Sequence, residues 1–217
     1  MKLARLMRYI RRTIHLPLCI GWDEKGTLLW NIDASFAVHH DCKSHTGAVL
    51  SLGKGALMSL SMKQKINTKS STEAELVGCD DAANFVVWTK LFIEAQMEET
   101  SPDERTHVLG KETVIQQDNT SAIRMERFGK RSSTKRTCHI AIRYYYITSL
   151  LNKGFITAVT YHPTEDMVSD YLTKPLQGSL LRKHRNCILG ITERDEAEAQ
   201  RLYSIRIKHQ TKSMQEG

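Results

Sequence analysis

Two short apolar strand segments in this chain each close on an aspartate, and that pairing constrains the fold more than any other feature. Thr27-Leu-Leu-Trp-Asn-Ile-Asp33 opens after a Glu-Lys-Gly turn, and Glu112-Thr-Val-Ile-Gln-Gln-Asp118 opens after a charged, polar connection. A third acidic motif, Ser70-Ser-Thr-Glu73-Ala-Glu75-Leu76, stands at the start of a helix-forming run. The fourth is His162-Pro-Thr-Glu-Asp-Met-Val-Ser-Asp170. Carboxylates gathered at contact distance raise one another's pKa, so such a cluster is expensive unless divalent cations neutralise it. Hard oxygen donors with no His/Cys ligand set suit magnesium or manganese rather than zinc. Two such ions about 4 Å apart are the usual apparatus for in-line cleavage of phosphodiesters.

The segments between these motifs set the architecture. Thr46 to Leu52 reads as a second strand, and Gly53-Lys-Gly55 turns the chain into a third at Ala56 to Leu60. Ser70, Ser71 and Thr72 are N-cap residues for a helix that runs to about Gln96, with Glu73 and Glu75 in its first turn. The strand ending at Asp118 is the fourth. Asn119 to Phe128 is helical, Gly129 to Thr134 is a basic loop, and Lys135 to Asn152 is a longer helix. Gly154 to Tyr161 gives a fifth strand after a Gly C-cap, and Met167 to Thr173 a short helix before Pro175. The order βββ-α-β-α-α-β-α predicts an α/β fold, a mixed five-stranded sheet flanked by helices.

Glu73 and Glu75 compete for one place, because residues two apart on a helix point about 200° away from each other. From Glu75 the positions 79, 82, 86 and 93 are Cys, Ala, Val and Ile, an apolar stripe. From Glu73 the positions 77, 80, 84 and 88 are Val, Asp, Asn and Trp, a wetter face. Glu75 is therefore expected beside the core strands and Glu73 at the surface, as an acid stabilised by the helix dipole. A strand-end Asp is often only a turn residue, so Asp33 and Asp118 are each weak signals alone. Asp170 has rivals in Glu165 and Asp166.

Charge is unevenly distributed. The chain of 217 residues carries a net +7, of which residues 1–22 contribute five basic groups and no acid. This basic segment lacks the Ser-rich character of a transit peptide and is expected to be a short basic helix. Between Arg124 and Arg143 seven basic residues face one acid, Glu126. Most charge runs are solvated faces; this one directly follows the Asp118 motif, so a polyanion held by it would lie over the acids. Five cysteines without a Cys-x-x-Cys spacing argue against a disulfide framework or a zinc ribbon, and Cys79 falls on the apolar helix face. His39, His40, Cys42, Cys138 and His139 match no common zinc spacing. No apolar run approaches the roughly 20 residues that span a bilayer, and no membrane partner is expected. Residues 192–217 are polar and charge-balanced, and are expected to be a frayed helix or disordered.

Seven motifs in order resemble the ribonuclease H domain of copia-type retrotransposon polyproteins. They are Ile-Asp33-Ala-Ser-Phe-Ala, Lys43-Ser-His-Thr-Gly47, Lys63-Gln-Lys, Ser70 to Leu76, Gln117-Asp-Asn-Thr-Ser-Ala-Ile123, His139-Ile-Ala-Ile-Arg-Tyr144, and Pro163-Thr-Glu-Asp with Leu172-Thr-Lys-Pro-Leu176. They span about two thirds of the chain. The resemblance implies the ribonuclease H-like sheet and divides the chain into residues 1–22, the tail of a reverse transcriptase connection, a ribonuclease H-like domain at 23–176, and a C-terminal extension, partly disordered, at 177–217. It implies a magnesium- or manganese-dependent endoribonuclease acting on RNA–DNA hybrids, with a reverse transcriptase portion of the parent polyprotein as partner. Cytoplasmic, particle-associated or nuclear residence follows from that life cycle.

Under this resemblance two ions are held by Asp33, Glu75, Asp118 and Asp170, with Asp33 bridging, Glu75 and Asp118 on one ion and Asp170 on the other. His162 corresponds to a mobile loop histidine that assists proton transfer or product release; the bland reading is a strand-end His packed on Tyr161. Ser35, Ser71, Thr72 and Asn119 stand beside the acids as donors to sugar and phosphate, and Arg127, Lys130, Arg131, Lys135 and Arg136 hold the neighbouring backbone. A catalytically inactive nucleic-acid-binding or scaffold remnant is the competing reading. An integrase-like transferase is the other, and the Ser-Ser-Thr-Glu-Ala-Glu and Asp-Asn-Thr-Ser-Ala-Ile contexts argue against it.

Overall fold

The computed structural model describes residues 2–23, 25–98, 112–129 and 141–215. Its centre is a five-stranded mixed sheet. Strands β2 (Leu28–Ser35), β3 (His45–Ser51) and β5 (Ala56–Lys63) form an antiparallel meander. β6 (Thr113–Gln117) joins the free edge of β2 in parallel, and β7 (Ala158–Tyr161) adds to β6, giving the order β5-β3-β2-β6-β7. Two further short strands, β1 (Gly21–Trp22) and β4 (Gly53–Lys54), make a small ribbon beside the hairpin. The helices are α1 (Lys2–Thr13), α2 (Ser71–Glu98), α3 (Thr120–Phe128), α4 (Ala141–Asn152), α5 (Asp170–Thr173), α6 (Gly178–Leu189) and α7 (Glu193–Gln215). This is the ribonuclease H-like arrangement, with the expected order of elements.

One sheet face is dry because alternate residues of the strands are large and apolar. Leu28, Trp30 and Ile32 of β2, with Leu50, Ile115 and Val159, are buried against Cys79, Ala82, Ala83 and Val86 of α2. Ile147 and Leu150 of α4 close the same core. The α2 stripe is the one that starts from Glu75, so the helix has the rotation read from the sequence.

Several boundaries differ, each for a local reason. β2 continues two residues past Asp33 to Ser35, so Asp33 lies within the strand, opposite Gly47. β7 begins only at Ala158: Gly154 has φ 74°, and the amides of Phe155 and Ile156 turn back to the Leu150 carbonyl to close α4. The helix expected from Met167 is instead a 3-10 turn at Thr164–Asp166 followed by α5 from Asp170. The segment expected as a frayed helix or disordered chain is helical over Glu193–Gln215. The basic loop and the first residues of the Lys135 helix lie outside the described residues.

Candidate active site

Parallel pairing assembles the site. In the β2–β6 ladder Asn31 stands beside Gln116, so Asp33 and Asp118, each two residues further on, emerge at the same level. In the β6–β7 ladder Gln117 stands beside Tyr161, which puts His162 next to Asp118; the His162 amide donates to the Gln117 carbonyl at 2.7 Å. Glu75, on the first turns of α2, reaches the same edge. Asp33, Glu75 and Asp118 each offer a carboxylate oxygen within 4.8 Å of the others, and this is the metal-competent acid group found among the described residues.

The electrostatics of this group are those of a cation site. Asp33 is 2% exposed and Glu75 4%. Burial pushes Asp33 up to about 6, opposed by a hydrogen bond from Thr173 and the charge of Lys174, while Asp170 and Asp118 push it further. Burial also holds Glu75 well above the usual carboxylate range, and the Asp33 and Asp118 charges add to it. Glu75 Oε2 is buried with no hydrogen-bond partner. A buried carboxylate oxygen without a donor, facing two other carboxylates, wants a cation. Hard oxygen donors of this kind fit magnesium or manganese.

Asp170 stands differently. It is buried at the start of α5, but its carboxylate faces the other acids through Lys174 and is not in the three-acid group. Lys174 Nζ donates to Asp170 Oδ1 at 2.6 Å and lies 3.7 Å from Asp33 Oδ1. Burial pulls the Lys174 pKa down, but the hydrogen bond to Asp170 and the charge of Asp33 outweigh it, leaving the ammonium above its ordinary value. Thr173 Oγ1 donates to Asp33 Oδ2, and Thr164 Oγ1 donates to Asp118 Oδ2 at 2.8 Å. Thr164, Thr173 and Lys174 had no assigned role from the sequence. The available signals were their place in the Pro163 and Leu172 motifs and the i, i+4 spacing of Asp170 and Lys174.

The remaining expected residues are placed as follows. Glu73 is not at the surface: it is 8% exposed, and its carboxylate accepts from the Lys69 amide at 2.7 Å while its own amide donates to Ser70 Oγ. That is a variant of the capping box, in which Ser70 takes the N3 amide and the N3 acid reaches one residue further back, to the Lys69 amide, and is thereby covered. Ser35 is buried and donates to the Thr173 carbonyl at 3.0 Å. Asn119 caps α3, its Oδ1 accepting from the Ser121 and Ala122 amides. Ser71 and Arg127 are exposed and Thr72 is half-buried. His162 Nε2 donates to the Asp166 carbonyl at 3.2 Å. Lys130, Arg131, Lys135 and Arg136 lie outside the described residues.

Sheet order, crossover helix and acids at adjacent strand ends define a ribonuclease H-like domain. No family model matches the chain. In sequence it is 28% identical, over 192 residues, to a retrovirus-related Pol polyprotein from a transposon of Arabidopsis thaliana. That alignment takes in 88% of this chain and 12% of the relative, so the chain spans only a small part of that polyprotein's length. The chain is thus similar over most of its length to one segment of a retrotransposon polyprotein, and its fold is ribonuclease H-like. Among solved structures, a ribonuclease H1 isolated from compost is similar at TM-score 0.45 and 12% identity, over 68% of this chain and 92% of that one. The N-terminal ribonuclease H domain of a Mycobacterium tuberculosis protein gives 0.41 and 10%, over 72% and 97%. The protease–reverse transcriptase of prototype foamy virus gives 0.40 and 8%, over 80% and 21%.

Proposed function

We propose that this domain is a metal-dependent endonuclease that cuts the RNA strand of RNA–DNA hybrids, as a copia-type element requires during replication. The observation that carries the reading is the group of Asp33, Glu75 and Asp118, two of them buried and compensated only in part by Lys174, which Asp170 shares. Asp33, Glu75 and Asp118 would hold one magnesium or manganese ion, and Asp33 with Asp170 a second. Divalent cations bound there supply Lewis acidity to the attacking water and to the leaving 3′ oxygen.

The chain's own residues orient this site. Thr173 and Thr164 help fix the rotamers of Asp33 and Asp118 by donating to one oxygen of each, leaving the other oxygen free to bind a cation. Lys174 keeps Asp170 turned toward Asp33. His162, next to Asp118 in the β6–β7 register, would assist proton transfer or product release. Exposed Ser71 and Arg127, with the Asn119 side chain, would meet sugar and phosphate.

The test is the purified chain with a labelled RNA–DNA hybrid, RNA duplex and DNA duplex, each with magnesium, manganese or chelator. Cutting confined to the RNA of the hybrid, leaving 5′-phosphate and 3′-hydroxyl ends and stopped by chelator, is expected. Cleavage that survives chelator, or that prefers duplex DNA, overturns the proposal.

A further inference from the structure

A second basic surface lies on the other side of α5 from the acids. Arg5, Arg8 and Arg12 of α1 form one wall of a groove of about 700 Å³, and Leu181 and Arg185 of α6 form the facing wall. Positions 5, 8 and 12 follow the helical repeat and share one face. The three guanidinium groups are exposed, and none forms an ion pair with any described residue. Two other arginines are paired: Arg143 meets Asp80 at 2.7 Å, and Arg185 in the groove itself meets Glu196 at 2.6 Å. Residues 1–22 contain no acid to balance the α1 wall. The groove therefore holds three uncompensated positive charges above an arginine that is 7% exposed and already neutralised.

Its floor connects to the acid site. Tyr9, between Arg8 and Arg12, hydrogen-bonds Tyr171 hydroxyl to hydroxyl at 2.7 Å, and Tyr171 follows Asp170 on α5. Seven residues of helix separate Arg5 from Arg12, a rise of about 10 Å. At roughly 3.4 Å of duplex axis per phosphate on one strand, that wall faces about three successive phosphates. We infer that the α1–α6 groove binds the phosphodiester backbone of a nucleic acid and guides it onto the acids, making residues 1–22 part of the substrate-binding surface. This inference rests on the nuclease reading for the identity of its ligand, though not for the groove's affinity for polyanions.

A membrane surface is the rival occupant, since α1 also carries an apolar stripe of Leu3, Leu6, Met7, Ile10 and Ile14, all exposed. The arginines, however, face α6 inside a groove, where a flat bilayer does not reach. At about 100° per residue the three arginines and the apolar stripe lie on opposite faces of α1, so one flat surface cannot meet both.

The experiment measures binding of a labelled RNA–DNA hybrid across a salt series, in chelator so that no cleavage occurs. R5Q/R8Q/R12Q is compared with the unaltered chain and with R194Q/R206Q/K208Q, which removes the same charge from α7. Circular dichroism and melting temperature confirm that all three fold. The groove variant is expected to bind more than tenfold more weakly at low salt, and its slope of log K against log salt should fall by about 0.9 for each phosphate that the arginines no longer neutralise. The α7 variant should keep the unaltered slope. Equal effects of the two variants would show that only net charge matters and overturn the inference. So would an unchanged slope in the groove variant, or preferential binding to vesicles of anionic lipid through Arg5, Arg8 and Arg12. If the unaltered chain binds duplex DNA as well as hybrid and cuts neither, the nuclease reading fails, while the slope comparison still decides the groove.

Discussion

At the scale of single residues the site is an imbalance of charge that the chain itself only partly relieves. Burial and the neighbouring acids raise the carboxyls of both Asp33 and Glu75, and Thr173 and Lys174 relieve mainly Asp33. Asp33→Asn is therefore expected to abolish metal-dependent cleavage while raising the melting temperature of the metal-free protein, because it removes a repelled charge at constant shape. A variant that keeps near-normal turnover would remove Asp33 from the bridging role. The two glutamates of α2 separate the catalytic from the structural contribution. Glu75→Gln should eliminate activity with the fold intact. Glu73→Ala should keep activity and lose about 1 kcal/mol of stability through the broken capping box, whereas Glu73→Gln retains the box and most of that stability. Loss of activity in either Glu73 variant, measured in the hybrid assay, would contradict this division.

Glu126 gives a pH signature that is independent of the metal ligands. It is fully buried beside Cys79, and burial pushes its carboxyl from 4.5 up to about 8. The folded chain thus holds a proton that the unfolded chain releases above about pH 4.5. The stability this contributes is complete below that pH and is lost progressively as pH rises from there through about 8, an effect of at most about 5 kcal/mol. Melting temperature should fall between about pH 4.5 and pH 8 and level off above it, and Glu126→Gln, which mimics the protonated acid, should flatten that fall. Parallel pH profiles for the two proteins would assign the decline to other groups.

Among the elements, the placing of α5 decides whether the fourth acid joins the site. Gly47 is the cross-strand partner of Asp33, and α5 lies directly over it. A Cβ at Gly47 would come 2.6 Å from Thr173 Cγ2 and 3.0 Å from the Ser169 carbonyl oxygen. Gly47→Val should push α5 off β3, cost about 1–3 kcal/mol as overpacking does, and take Thr173 and Lys174 away from Asp33. Activity is then expected to drop by more than the melting temperature explains, whereas Gly78→Ala, whose new methyl meets Ala34 Cβ at 3.4 Å, should retain it. A Gly47→Val protein of normal activity would show that α5 does not need this approach. The sequence disclosed the strands and α2 because their alternation and apolar stripe are local signals, and the rotation of α2 placed Glu75 correctly. The burial of Glu73, the 3-10 turn before Asp170 and the contact of Lys174 with two acids were not legible. Each depends on how distant segments close over one another, which neither periodicity nor spacing reports.

Over the whole molecule, the division into a central domain with two appendages meets a physical interlock. The Cys19 amide donates to the Leu189 carbonyl at 2.8 Å, joining the N-terminal segment to the end of α6. Gly55, in the hairpin between β4 and β5, and Gly190, after α6, both pack against the Cys19 carbonyl, where a Cβ on either would collide with it. α6 also covers the sheet face opposite the main core, burying His184, Arg185 and Asn186, and Ile191 is buried just beyond it. A chain cut to residues 23–176 loses both the strap through Cys19 and this cover, and it exposes the odd-numbered face of β2 that leads to Asp33. Removal of Ile191 and its neighbours from the interior should cost about 3 kcal/mol or more. The truncated chain is expected to melt well below the full chain and to bind a hydrophobic dye. Removal of residues 201–217 alone, whose described side chains at 201–208 are mostly exposed, should change little. A 23–176 fragment as stable as the full chain would mean that the helices at both ends rest on the domain without supporting it.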